Sequence, residues 1–220
     1  MQQTKLFTYL TTFSIVCFIA YVALLCFPYT LTHESGIIII SGASTGIGRS
    51  AAEAITRKYP KYIVFAGVRK EIDKNSLSEM GLQNLIPIIL DVTSSQSVLN
   101  ALQSVETFAN EKKLDIISVI NNAGIAQGPT TVEFHQISDA ETVFNVNYFG
   151  ALRLTQAFLP LLRRTHGRVI MISSITGEFA PPMGGIYSSS KHALEALSDS
   201  LRVEVNPLGV SVSTIYCFFP

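Results

Sequence analysis

GIIIISGASTGIG, residues Gly36–Gly48, joins a continuous apolar run to a turn that carries Gly42, Gly46 and Gly48. Four successive isoleucines without polar alternation are what a strand buried on both faces requires. Glycines in the turn allow tight geometry and let the main chain approach a ligand closely. From Gly46 the sequence turns helical, so the turn lies where a strand hands over to a helix N-terminus. Free N–H groups and the positive end of the helix dipole suit that point to a pyrophosphate. A P-loop would need Gly-Lys-Ser/Thr, whereas Arg49 and Ser50 follow the last glycine, which sets that reading aside. The spacing GxxxGxG leaves two readings open: dinucleotide binding, or plain strand–helix packing.

Outward from this stretch, strands and helices alternate. A strand over Gly36–Ser41 leads to a helix over Gly46–Tyr59, with Ile47, Ala51, Ala54 and Ile55 expected on its inner side. YIVFAGV (Tyr62–Val68) and LIPIILDV (Leu85–Val92) read as the second and third strands. Ser94 and Ser95 offer N-cap oxygens to a helix through Val98, Leu102 and Val105. IISVINNAG (Ile116–Gly124) reads as a fourth strand running into a turn. A long helix over about Asp139–Arg164 precedes strand RVIMISS (Arg168–Ser174), and a helix over about Ser188–Val205 precedes strand VSVSTI (Val210–Ile215). Strands separated by helices of this length predict right-handed βαβ units. The expected class is therefore α/β, a Rossmann-like doubly wound parallel sheet in three αβα layers.

The chain has 220 residues, enough for one ordinary domain. Sixteen Lys+Arg balance sixteen Asp+Glu, so no global charge attracts nucleic acid, and none is expected as a partner. The three cysteines, Cys17, Cys26 and Cys217, leave the span Pro28–Tyr216 without any, which excludes a disulfide framework and a cysteine metal site there; no metal is expected. A mean hydropathy of +0.35 is high for a soluble domain. The excess sits in LFTYLTTFSIVCFIAYVALLCF, where no charge falls between Leu6 and Thr32. A bilayer core takes roughly 20 apolar residues against about 7–15 for a signal-peptide core. The expectation is a single-pass membrane anchor in residues 1–34, spanning about 6–28, ahead of a domain over 35–220. A cleaved signal and a buried core helix are the alternatives. Orientation stays open, since Lys5 alone precedes the span.

YSSSK sets Tyr187 and Lys191 four residues apart at the start of a helix, hence on one face. Acid–base work near neutrality needs the tyrosine pKa of about 10 brought down by roughly 2–3, or about 3–4 kcal/mol, within reach of a nearby cation. The bland alternative is a surface tyrosine beside a lysine. Ser174 ends strand RVIMISS at the carboxyl edge of the sheet, where open α/β folds place their ligands.

Taken together, SGASTGIG, NNAG (Asn121–Gly124), Ser174 and YSSSK resemble the short-chain dehydrogenase/reductase family, in family order and spacing over about Gly36–Ile215. The look is similar to membrane-associated retinol, hydroxysteroid and hydroxybutyrate dehydrogenase-like members. The resemblance implies Tyr187 as general acid/base and Lys191 as the residue that holds the nicotinamide ribose and lowers the tyrosine pKa. It further implies Ser174 as the group bonding the substrate oxygen, and Asn147 as the asparagine that positions a water in the proton relay. Gly42, Ser44, Thr45, Gly46, Ile47 and Gly48 would form the cofactor turn. Asp91 and Val92 would contact the adenine, and Asn122, Ala123 and Gly124 would pass its ribose. After the second strand come Arg69 and Lys70, with no acid before Glu71. Arg69 can meet a 2′-phosphate, so NADP(H) is the expected cofactor and NAD(H) the alternative.

The segment EFAPPMGGI (Glu178–Ile186) is mostly apolar, which with an anchor favours a lipophilic alcohol or carbonyl substrate and an endomembrane address such as the endoplasmic reticulum. A homodimer or tetramer is implied by resemblance. The chain stops at Pro220, where the family continues into a Pro-Gly turn, a substrate lid and a last strand. That departure suggests a truncated product. Two classes follow: an oxidoreductase acting on CH–OH groups, or a non-catalytic dinucleotide-binding or partner-binding protein.

Overall fold

The computed structural model describes residues 33–217. The predicted membrane span over 6–28 lies outside them; no helix among the described residues is long and apolar enough to cross a membrane.

Six strands form one parallel sheet: β1 (Gly36–Ile40), β2 (Tyr62–Val68), β3 (Leu85–Ile89), β4 (Ile116–Asn121), β5 (Arg168–Ser174) and β6 (Ser211–Cys217), in the order β3-β2-β1-β4-β5-β6. The chain winds one way from β1 to β3 and the other way from β4 to β6. The crevice at the carboxyl ends of β1 and β4 is therefore the topological switch point.

Both faces of the sheet are covered, which explains the unbroken isoleucines. Ile37 and Ile39 face one layer, with α3 (Ser95–Lys112), α5 (Ala151–Thr165) and α6 (Gly185–Val205) supplying Val98, Val105, Leu154, Phe158 and Leu194. Ile38 and Ile40 face the other, against Ala52 of α1 (Gly46–Lys58) and Leu77 of α2 (Glu71–Ser78). Ser94 caps α3, its hydroxyl accepting from Ser97 N at 3.2 Å.

Five details depart from the sequence reading. Helix α2 was not predicted: it is eight residues long and buries only Leu77. In α1 the buried positions are Gly48, Ala52 and Thr56, while Ala54 is exposed and Ile47 is 52% exposed. Small side chains let this helix lie close to the sheet, and close approach outranks side-chain apolarity here. β3 ends at Ile89, ahead of Asp91 and Val92, and β6 continues two residues past Ile215.

The helix expected over Asp139–Arg164 runs instead as α4 (Ile137–Phe144), a π-helical stretch over Asn145–Gly150, and α5. Gly150 makes that stretch fit. A Cβ there would sit 2.6 Å from Val92 Cγ2.

Candidate active site

At the end of β1 the chain turns sharply before α1. Gly42 has φ +67°, and a Cβ on it would stand 2.7 Å from the Ala123 Cα. Gly46 also lies in the left-handed region, at φ +56°, but in open space. Gly48 is needed for room instead, since a Cβ there would overlap Asn122 Nδ2 and the Gly42 carbonyl. Thr45 is the extended N-cap of α1 and makes no side-chain cap bond, which leaves the first-turn N–H groups open to an anion.

The turn is tied to the end of β4 by two side chains. Asn122 Nδ2 donates to the carbonyls of Ser41 (2.9 Å) and Gly42 (3.0 Å). The buried Ser41 hydroxyl donates to Ile120 O (3.3 Å) and accepts from the amides of Asn122 (3.0 Å) and Ala123 (3.1 Å). Asn122 thus shapes the turn and spends its amide hydrogens there. Ser41 was missed, because a serine before a glycine turn carries no distinguishing signal in one sequence.

A cavity of about 280 Å³ opens beside the turn and gathers Gly42, Ser44, Thr45, Arg69, Asp91, Val92, Ala123 and Gly124. Gly46, Ile47, Gly48 and Asn122 do not line it. Val68, Leu90, Thr93, Ile125 and Val146 do, and were not predicted. Asp91 is oriented by its own turn: its Oδ1 accepts from Thr93 N (2.9 Å) and Thr93 Oγ1 (2.7 Å), while its amide donates to Ser97 Oγ (2.9 Å). Apolar walls from Val68, Leu90, Val92 and Val146 suit a flat ring, and Arg69 stands exposed at the rim. With the glycine cradle alongside, these residues fit a dinucleotide.

The other constellation lies across the switch point. Ser174, 1% exposed at the end of β5, accepts from Thr176 N (3.2 Å) and Thr176 Oγ1 (3.0 Å), which leaves its own hydrogen for the Tyr187 phenol. Burial raises the Tyr187 pKa above its usual 10.0, and the Ser174 hydrogen bond only partly opposes this; a charge on Cys217 would add to the rise. Lys191 is 4% exposed, and its Nζ donates to the Ile172 carbonyl at 2.8 Å. Burial pushes that ammonium down to about 8, against the pull of Cys217 and Glu195. Nζ lies 5.7 Å from the centre of the Tyr187 ring. In this arrangement the i, i+4 spacing brings the two groups together, Nζ is bonded to the main chain, and burial raises the phenol.

Asn147 sits in the π-helical stretch, 1% exposed. Its Oδ1 accepts from Ile125 N (2.8 Å), and its Nδ2 donates to Ile125 O (2.9 Å) and Ser190 Oγ (2.9 Å). A Cβ built on Gly124 would lie 3.5 Å from Asn147 Oδ1 and 3.6 Å from Lys191 Nζ, so both atoms face one point beside the cavity. The structure thus brings Asn147, Ser174, Tyr187 and Lys191 together at the carboxyl ends of β4 and β5. Among the described residues, no cluster of His, Cys, Asp or Glu is placed to hold a metal.

Fold and site together define an α/β protein with a doubly wound parallel sheet and a Ser–Tyr–Lys group beside a cavity that fits a dinucleotide. Residues 36–219 match the family model described as short chain dehydrogenase, and the chain belongs to that family. It is 36% identical over 182 residues to D-beta-hydroxybutyrate dehydrogenase, mitochondrial, of Mus musculus, covering 81% of this chain and 52% of that protein. It is also 36% identical over 188 residues to Retinol dehydrogenase 5 of Mus musculus, covering 84% and 57%. A short chain dehydrogenase from Burkholderia cenocepacia J2315, solved in complex with NADP, superposes with a TM-score of 0.73 at 31% identity, covering 84% of this chain and 73% of that one. The chain spans about half the length of the curated relatives it matches.

Proposed function

We propose that this protein is an NAD(P)(H)-dependent oxidoreductase that interconverts a lipophilic alcohol and its ketone or aldehyde. The observation that carries the reading is the convergence of Asn147, Ser174, Tyr187 and Lys191 beside a cavity that fits a dinucleotide. The nicotinamide cofactor, when bound, donates or accepts the hydride. Tyr187, kept protonated by burial, hands its proton to the substrate oxygen in reduction and recovers it in oxidation. Ser174 donates its one hydrogen to the phenol oxygen and so steadies the charge left there when the proton is passed on. Lys191 serves the nicotinamide ribose, and Asn147 holds the loop at Ile125 and faces the point it shares with Lys191.

Arg69 at the cavity rim supports NADP(H) over NAD(H), since a guanidinium matches a 2′-phosphate and no acid comes before Glu71 after the second strand. A lipophilic substrate is supported by exposed Val132, Phe134, Phe179 and Met183. The two loops carrying them meet where Thr130 N donates to Met183 O at 3.3 Å. The uncharged segment over 6–28 supports a single-pass attachment to an endomembrane, and family resemblance supports a homodimer or tetramer.

The test uses the full chain in mild detergent, titrated with NADPH and NADH and then offered retinoid, steroid and long-chain alcohols and carbonyls. Saturable NADPH binding, turnover of one substrate class, and a Tyr187→Phe variant slowed by about 10²–10⁴-fold with its cofactor Kd little changed are expected. Absence of binding by either cofactor, or equal loss of binding and turnover in Tyr187→Phe, would overturn the reading.

A further inference from the structure

The three serines of YSSSK are not equivalent. Ser189 is exposed, and Ser188 is buried with no partner for its hydroxyl. Ser190, 0% exposed, donates its hydroxyl to the Tyr187 carbonyl at 2.7 Å and accepts from Asn147 Nδ2 at 2.9 Å. A serine that bonds back to a carbonyl three or four residues earlier is ordinary helix behaviour, and Ser198 does it with Leu194 O at 2.7 Å. Ser190 differs because its oxygen also takes an amide hydrogen from a residue 43 positions away.

We infer that Ser190 is a positioning residue that sets Asn147 against the tyrosine-bearing turn of α6, an inference that rests on the dehydrogenase reading above. The directions of the bonds are forced. Ile125 N needs an acceptor, so that atom of Asn147 is Oδ1; Nδ2 then has two hydrogens, one for Ile125 O and one left over. Ser190 is the acceptor for the second, and it can accept there because its own hydrogen points at Tyr187 O. One chain of bonds thus runs from the loop after β4, through the π-helical stretch, into the first turn of α6. Replacing Ser190 by alanine leaves an amide hydrogen orphaned at a site closed to water, and the side chain must turn to satisfy it. That turn would withdraw Oδ1 from the point it shares with Lys191 beside Gly124.

The experiment is a double-mutant cycle on the full chain: wild type, Ser190→Ala, Asn147→Ala and the pair. Ser190→Ala is expected to lower kcat by about 10–100-fold while the KM for NADPH moves less than about threefold, as misplacement of a catalytic group does. In the Asn147→Ala background the same change is expected to cost less than about twofold, because Ser190 acts through Asn147. A kcat within twofold of wild type, or full additivity of the two losses, would overturn the inference. A second readout is independent of turnover. The Asn147 side-chain amide pair, identified by its disappearance from the nitrogen-15 spectrum of Asn147→Ala, is expected to exchange at least about tenfold faster with solvent in Ser190→Ala. Unchanged exchange overturns the clamp whatever the kinetics. Faster exchange in Ser190→Ala, with a wild-type chain that turns over no substrate, overturns the dehydrogenase reading and keeps the clamp.

Discussion

Replacing Lys191 with methionine should make the protein more stable at neutral pH, and the gain should shrink in alkali. Lys191 is 4% exposed, and burial brings its ammonium from the usual 10.5 down to about 8. At ~1.36 kcal/mol per pH unit, holding that charge at neutral pH costs the fold about 3 kcal/mol relative to an unfolded chain with a normal lysine. The folded pKa lies below the unfolded one, so between pH 8 and 10.5 the unfolded chain binds more protons and stability rises with pH through that window. Below pH 8 the whole cost is present. Methionine keeps the length of the side chain and removes the charge. It also gives up the Nζ–Ile172 O bond, an offset of about 1 kcal/mol that stays nearly constant with pH. Chemical denaturation of wild type and Lys191→Met in one detergent, at pH 6.5, 8 and 10, isolates the variable part. The stability advantage of the variant should fall by about 2.5 kcal/mol from the lowest to the highest pH. A difference that stays flat across the series would refute the claim that desolvation governs Lys191.

Other outcomes follow from the same geometry. Gly48→Ala forces a Cβ into Asn122 and the Gly42 carbonyl, so a loss of about 1–3 kcal/mol and of cofactor binding is expected in thermal melts and titrations. Gly46→Ala has open space and should cost only the left-handed conformation, about 1–2 kcal/mol. Ser41→Ala strips the Asn122 and Ala123 amides of their acceptor, for a loss of about 1–3 kcal/mol by denaturation and weaker binding of both cofactors. Arg69→Ala should weaken NADPH by about 10–100-fold by calorimetry, as loss of a charged hydrogen bond does, and leave NADH unchanged.

The strands were legible because burial on both faces leaves a blunt trace: β2 and β5 run over the residues that their apolar composition marks. What escaped was decided by distances between elements. Helix α2 has one buried side chain in eight, too few for a periodicity. In α1 the sheet-facing stripe is glycine, alanine and threonine, chosen for closeness, so counting apolar residues pointed to Ile47 and Ala54, which are exposed. The π-helical stretch has the composition of an ordinary helix, and only the packing of Gly150 on Val92 marks it. Tyr187 and Lys191 could be named from their helical spacing and Ser174 from its place at a strand end, whereas Asn147 was marked only by the family resemblance. Ser41 and Ser190 could not, because each works by satisfying main-chain groups or an amide far away in sequence.

The electrostatics of the site point one way. Burial raises the phenol of Tyr187 and lowers the ammonium of Lys191, so both shifts favour the uncharged form. Of the causes acting on Tyr187, only the Ser174 hydrogen bond lowers the pKa, and Ser174 can supply it because Thr176 occupies its oxygen from the other side. Spacing in the helix put the lysine beside the tyrosine, yet proximity alone does not make a phenolate where burial disfavours the charge. On the proposed function, Tyr187 in this arrangement would be a proton donor held in register by Ser174. A site built this way is set to give a proton to a carbonyl oxygen, and taking one from an alcohol requires positive charge next to the phenol. Lys191, with a pKa of about 8, supplies that charge only below the pH at which it titrates. The demand for a cation at Tyr187 and the cost of burying one at Lys191 therefore meet in the same side chain, so on the proposed function turnover in the oxidative direction is expected to fall as Lys191 titrates, which a pH–rate profile of wild type checks.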